Sequence, residues 1–226
     1  MSSRRTKILK LFIIVLIPIL IIITAVRLLA TDQYLAFEYG KASFPPDPFG
    51  FTQQQRFDLA SSSIHYVRAH LPSNALSKQM LNGAPVYNPR EVSHMADVRT
   101  VFQRIFQVWQ VTFIVLLLMG FILWQKRERR ILGSAIQWGG LLTTGIILFI
   151  GLFAIFAWQS WFITFHLFFF EPGSWLFSHS DTLIRLFPVE FWFDATMTIS
   201  ILSLAGGLLL ALIGWQGKSV LLEKQA

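Results

Sequence analysis

The sequence predicts an all-α polytopic membrane protein with four transmembrane helices, cytoplasmic N and C termini, and a small mixed extracytoplasmic cap. Three observations predict it. Of 226 residues, 54% are hydrophobic, more apolar surface than a soluble domain of this length can bury. Four apolar runs, residues 11–30, 106–124, 132–158 and 196–215, are each long enough to cross a hydrocarbon core of about 30 Å. Lipid admits such segments only as helices, because it offers no partner to open backbone groups. Finally, Lys and Arg cluster at sites that alternate with the spans, and such clusters mark cytoplasmic loops.

The elements follow in order. Residues 1–30 form a basic tail (Arg4, Arg5, Lys7, Lys10) and the first span. Its apolar core exceeds the roughly 7–15 residues of a signal-peptide core, so it reads as an uncleaved anchor. Residues 31–104 form an outer segment that leads into the second span, residues 105–125. A cytoplasmic link at 126–131 carries Lys126, Arg127, Arg129 and Arg130. The third span is 132–158, an outer aromatic and interfacial loop is 159–195, and the fourth span is 196–216. A tail at 217–226 holds Lys218 and Lys224. The net charge of +7 is mostly this topology signal. The outer 31–104 segment is nearly balanced, with seven Lys/Arg against six Asp/Glu, and there is no nucleic-acid footprint. The absence of cysteine excludes disulfides, thiolate metal sites and a cysteine nucleophile.

Within the outer segment, residues 44–50 are proline-rich and extended, since proline fixes φ and biases its predecessor away from helix. Thr52 with Gln55 three positions on predicts a capping box and a helix over about 53–70. Residues 71–88 carry turn signals and resolve no further. Asn88-Pro89-Arg90-Glu91 is the clearest helix start in the chain: a capping Asn, Pro in the first helical position, and Glu closing a box. No breaker follows until Gly120. A helix from Pro89 to Trp124 would run about 54 Å at 1.5 Å per residue, so its first turns stand outside the hydrocarbon. Residues 158–170 make an aromatic belt, and 181–193 read as a short amphipathic interfacial segment.

Five histidines are candidates for chemistry. His65, His70 and His179 read as a solvated surface. His94 lies near the interface with Asp97 at i+3, a spacing that lets a carboxylate orient an imidazole, although such pairs are more often structural. His166 sits among Trp161, Phe162, Phe165, Phe168 and Phe169. An ionisable group at that depth should face a cavity or a partner, and it reads equally as a belt residue touching headgroups. By topology both histidines face outward. Arg99, Gln103, Gln107 and Gln110 form a polar stripe roughly opposite His94, and polar groups in a span normally face the bundle interior.

The residues carry a resemblance. Glu-x-x-His-Met-x-Asp-Val at 91–98 and Phe-His-x-x-Phe-Phe at 165–170 are similar to motifs of the lipoprotein intramolecular transacylases. So are Trp175, Leu176, Phe177, Asp181, Leu183, Ile184 and Pro188, the stretch at 44–52, and Arg56. The resemblance covers nearly the whole chain. It implies an enzyme that moves the sn-2 acyl chain of a diacylglyceryl lipoprotein to the α-amine of its N-terminal cysteine. It also implies a monomer in the plasma membrane of a bacterium, with the site facing outward and no cofactor. Membrane lipids and a diacylated lipoprotein N-terminus are the implied partners. The histidine pair corresponds to His94 and His166, with Asp97, Trp175 and Asp181 in supporting positions. On the residues alone, either histidine can be the base, with His94 oriented by Asp97 preferred. A bis-histidine haem or metal protein, and a non-enzymatic envelope accessory protein, also stay open.

Overall fold

The computed structural model describes residues 4–223, with side chains to Gln216. Lys224 lies outside the described residues. The elements are α1 (Arg4–Leu29), α2 (Asp32–Tyr39), α3 (Gln53–Val67), a 3-10 turn (Leu76–Lys78), β1 (Met80–Leu81), β2 (Ala84–Pro85), α4 (Pro89–Gln125), α5 (Arg129–Phe156), α6 (Trp158–Phe169), α7 (Thr182–Leu186) and α8 (Val189–Glu223). Four of these, α1, α4, α5 and α8, are long and apolar enough to cross a membrane. The described chain divides into two compact units, residues 4–26, 107–152 and 198–223, and residues 27–106 and 153–197.

The first unit holds the apolar lengths of the four long helices. Its core joins Ile13 and Ile17 of α1, Leu123 of α4 and Ala135 of α5. Most large side chains here point outward, Phe149 and Leu209 among them, because lipid rather than water is their solvent. Contact between α5 and α8 runs through small residues. A side chain at Gly140 would meet the backbone of Gly207 and Ala211, and one at Gly214 would meet that of Gly133 and Gln137. Small residues let backbones approach where no hydrophobic force drives helices together.

The second unit packs α2, α3, the 3-10 turn and α7 about Leu35, Ala60, Tyr66, Leu76 and Leu186, all nearly or wholly buried. Thr52 and Gln55 form the expected reciprocal capping box at the start of α3. The turn signals at 82–85 resolve as a tight hairpin. Asn82 and Gly83 have φ of 53° and 81°, and Met80 pairs with Pro85, as an Asn-Gly turn of this hand requires. Pro45 and the helices are tied by Arg56, which is buried. Its Nη1 donates to Pro45 O at 2.7 Å, while Nε and Nη2 donate to Arg185 O at 3.0 and 2.6 Å.

Two features differ from the sequence expectation. The aromatic stretch after the third long helix is a helix of its own: Ala157, at φ −141°, leaves helical geometry, and α6 starts afresh at Trp158. The amphipathic stretch at 181–193 breaks at Phe187-Pro188, so α8 begins at Val189, ahead of the apolar run. Proline cannot continue α7 but suits the entry to a new helix.

Candidate active site

His94 and His166 both belong to the second unit. His94 stands in the second turn of α4, and the expected start signal sets that turn. Asn88 Oδ1 accepts from Glu91 N at 3.0 Å, and Glu91 Oε2 accepts from Asn88 N at 2.8 Å. Glu91 also reaches across the unit, its Oε1 accepting from Leu183 N at 2.7 Å. One buried carboxylate therefore joins the base of the His94 helix to α7. Asp181 adds a second tie, accepting from Asn88 Nδ2 at 3.2 Å and from Ser178 N at 2.8 Å. Arg90 makes a third, with Nη2 donating to Leu176 O at 2.7 Å.

His166 sits in the last turn of α6. Its Nδ1 lies 2.8 Å from Phe162 O; a carbonyl can only accept, so Nδ1 carries the proton and Nε2 the lone pair. Past α6, Pro172 and Gly173 turn the chain back, with Gly173 at φ 85°, where a side chain would be strained. That reversal lays Trp175 on His166, with ring centroids 4.7 Å apart.

The two imidazoles meet around one ring. Phe170 lies 4.9 Å from His94 and 5.8 Å from His166, centroid to centroid, and Phe177 closes His94 from another side at 5.4 Å. Burial draws the His166 imidazole below its ordinary pKa, and the Phe162 carbonyl opposes this only in part. Among the described residues, two buried nitrogens here have no hydrogen-bond partner, His94 Nδ1 and Trp175 Nε1. Buried polar atoms are almost always paired, so unpaired ones at a cluster of imidazoles point to a group that arrives from outside. Two recesses lie elsewhere. One of about 780 Å³ is lined by apolar residues such as Trp138 and Phe149, and one of about 360 Å³ by Ser43, Trp158, Glu190 and Asp194. Neither is lined by a site histidine.

Asp97 is not brought against His94. It is exposed, and no hydrogen bond joins the two among the described residues. The imidazole turns into the Phe170–Phe177 box, whereas the Asp97 carboxylate is exposed. The polar stripe also divides. Arg99 leaves it, with Nη1 donating to Leu71 O at 2.9 Å and its guanidinium 4.7 Å from the Tyr66 ring. Gln103 is half-buried, and Gln107 and Gln110 are exposed rather than turned inward. Glu91 is the supporting residue that sequence reasoning undervalued. Its capping role was legible, but its bond to Leu183, 92 positions away, was not.

Four long apolar helices joined to a compact unit with two imidazoles in an aromatic box define a multi-pass integral membrane protein with a candidate acid–base site. The family model for lipoprotein intramolecular transacylase Lit matches residues 11–192. The chain belongs to that family, a family of membrane enzymes whose substrate is a lipoprotein. A protein of Aquifex aeolicus (strain VF5), described only as uncharacterized, is 30% identical over 97% of this chain and 99% of its own length. The membrane-integral Lit of Bacillus cereus shares the fold, with a TM-score of 0.76 at 20% identity over 99% of both chains. A structure of the same protein with one histidine replaced by alanine matches at a TM-score of 0.63, 20% identical over 98% of this chain and 95% of that one.

Proposed function

We propose that this chain moves the sn-2 acyl chain of a diacylglyceryl-modified lipoprotein to the α-amine of that lipoprotein's N-terminal cysteine, leaving a lyso-form lipoprotein. His94 and His166 carry the chemistry. The observation that carries the reading is the pair of imidazoles around Phe170, with His94 Nδ1 and Trp175 Nε1 buried and unpartnered beside them.

An α-ammonium group, of pKa about 7.7–8.0, gives its proton to the Nε2 lone pair of His166, which the Phe162 carbonyl orients. The freed amine attacks the ester carbonyl carbon, forming a C–N bond and an oxyanion. The Trp175 N–H, with His94, donates to that oxygen. The attacking nitrogen then releases its second proton to solvent, the tetrahedral centre collapses, the C–O bond to glycerol breaks, and the alkoxide takes a proton from the imidazolium. An amide and a glycerol hydroxyl result, and the histidines return to their starting state. The amine and the ester belong to one molecule, so correct placement alone can supply about 7–11 kcal/mol of the rate. A weak base is therefore enough, and no serine or cysteine nucleophile is needed. The roles assigned to the two histidines here reverse the sequence preference. The reason is local: His166 has its tautomer set by a bond, and His94 has no carboxylate to set its own.

We place the site on the outer face of a bacterial plasma membrane, with both termini cytoplasmic, on the strength of the basic residues at 4–10 and 126–130. The surface of α6 suits that depth. Its Phe168 is 80% exposed and Leu167 is also uncovered, as in a helix that rests in the interface.

The test is expression in a strain that cannot N-acylate its own lipoproteins, followed by mass spectrometry of a reporter lipopeptide. His94→Ala and His166→Ala should abolish the lyso-form product while the protein stays inserted. Trp175→Phe keeps an aromatic ring but loses the N–H donor, so its rate should fall about 10²-fold. Normal product from either histidine variant sinks the proposal.

A further inference from the structure

A second cluster of histidines lies outside that site. His65, on the last turn of α3, and His70, just beyond it, face each other with Nδ1 atoms 3.2 Å apart. The opposite nitrogen of His65, Nε2, lies 2.9 Å from Asp32 Oδ2, and Asp32 Oδ1 accepts from Ser61 Oγ at 2.7 Å. A carboxylate can only accept, so the His65 proton sits on Nε2 and its Nδ1 presents a lone pair toward His70.

The backbone is shaped for this meeting. After α3 the chain folds back, with His70 N donating to His65 O at 2.9 Å and Ala69 N to Tyr66 O at 3.0 Å. The fold-back puts Ala69 at φ 62°, a conformation disfavoured for any residue with a side chain. His70 is thereby turned onto the ring of His65.

We propose that His65 and His70 together bind a first-row divalent transition cation through their Nδ1 atoms, with Asp32 as the carboxylate that holds His65. Two imidazole nitrogens at about 2.0–2.1 Å from a tetrahedral ion stand about 3.3 Å apart, close to the spacing found. A carboxylate on the far ring nitrogen of a ligating histidine is the usual means of setting tautomer and raising basicity. The site is open to solvent: His65 and Asp32 side chains are each 40% exposed and His70 is exposed. The neighbouring Arg68 is engaged with Ala30 O at 2.6 Å. Among the described residues no group of three or more His, Cys, Asp and Glu could hold a metal, so water completes the coordination and the ion exchanges. Imidazole pairs select Zn²⁺, Ni²⁺ or Cu²⁺ over Mg²⁺ and Ca²⁺. A bound ion would fasten the start of α2, through Asp32, to the end of α3.

The test is titration of full-length, tag-free protein in detergent with Zn²⁺, read by calorimetry and by thermal unfolding. The wild type should bind one ion saturably and melt higher with Zn²⁺, and Mg²⁺ should do neither. His70→Ala removes an exposed side chain and should weaken Zn²⁺ binding by more than tenfold. Asp32→Asn should weaken it about 10–100-fold. Absence of saturable Zn²⁺ binding overturns the proposal. So does a His70→Ala variant that binds as the wild type does, because the two rings would then only hydrogen-bond each other.

Discussion

Replacing Asp47 by Ala should loosen the outer unit by a calculable amount. The carboxylate is fully covered, with 0% side-chain exposure, and Arg185 beside it is 12% exposed. Three donors converge on it: Arg185 Nε at 3.0 Å, Arg185 Nη2 at 2.9 Å and Phe51 N at 2.7 Å. The Arg185 guanidinium also lies 3.4 Å over the Phe51 ring. Breaking a buried pair by removing one partner costs about 3–5 kcal/mol, because the other charge is left without compensation. Arg185 can reach some water, so the lower end applies, about 3 kcal/mol. At 1.36 kcal/mol per decade that is roughly a hundredfold change in the local opening constant. Hydrogen exchange at Phe51 and Phe187, read by mass spectrometry in detergent, should speed by that factor.

The pH dependence has a definite sign. Burial alone would raise the Asp47 pKa, but the Arg185 and Phe51 hydrogen bonds and the charges of Arg185 and Arg56 outweigh it and hold the carboxyl below its ordinary range. A depressed folded pKa contributes stability above the unfolded value of about 3.9, and that stability is lost as pH falls through the folded pKa. The difference between wild type and Asp47→Ala should therefore be constant from neutral pH to about pH 5 and shrink in stronger acid. Less than a threefold change in exchange at neutral pH would refute the reasoning.

Glu91→Gln exchanges one of two carboxylate acceptors for an N–H₂ that cannot serve Asn88 N or Leu183 N. Stability should fall by about 1–3 kcal/mol, and turnover should drop with little change in apparent substrate affinity, since His94 is held one turn further on. Equilibrium unfolding in mixed micelles and a KM-against-kcat split check both parts. Gly140→Ala drives a methyl into the backbone of Gly207 and Ala211 and should cost about 1–3 kcal/mol by the same unfolding measurement. Gly145→Ala, whose new methyl meets nothing within 4 Å, is the control and should stay within about 0.5 kcal/mol of wild type.

Much of the outer unit could be read locally because its signals are short-range. The capping boxes at Thr52–Gln55 and Asn88–Glu91 join residues three apart, and the Asn82-Gly83 turn depends on two adjacent conformations. His65 and His70 show the opposite case. As residues on an exposed helix they looked merely solvated. Only the left-handed Ala69 and the arrival of Asp32 from another helix turn them into a cluster.

The long helices were determined by the sequence alone, since crossing a hydrocarbon layer depends on the length and polarity of a continuous segment. The start of α4 at Pro89 was determined in the same way, by four consecutive residues. Tertiary structure decided the site. It set His94 and His166 around Phe170, left Asp97 exposed, joined Glu91 to Leu183, and turned Gln107 and Gln110 outward. Each of these depends on which distant side chains compete for one small volume, a quantity no local pattern of residues contains.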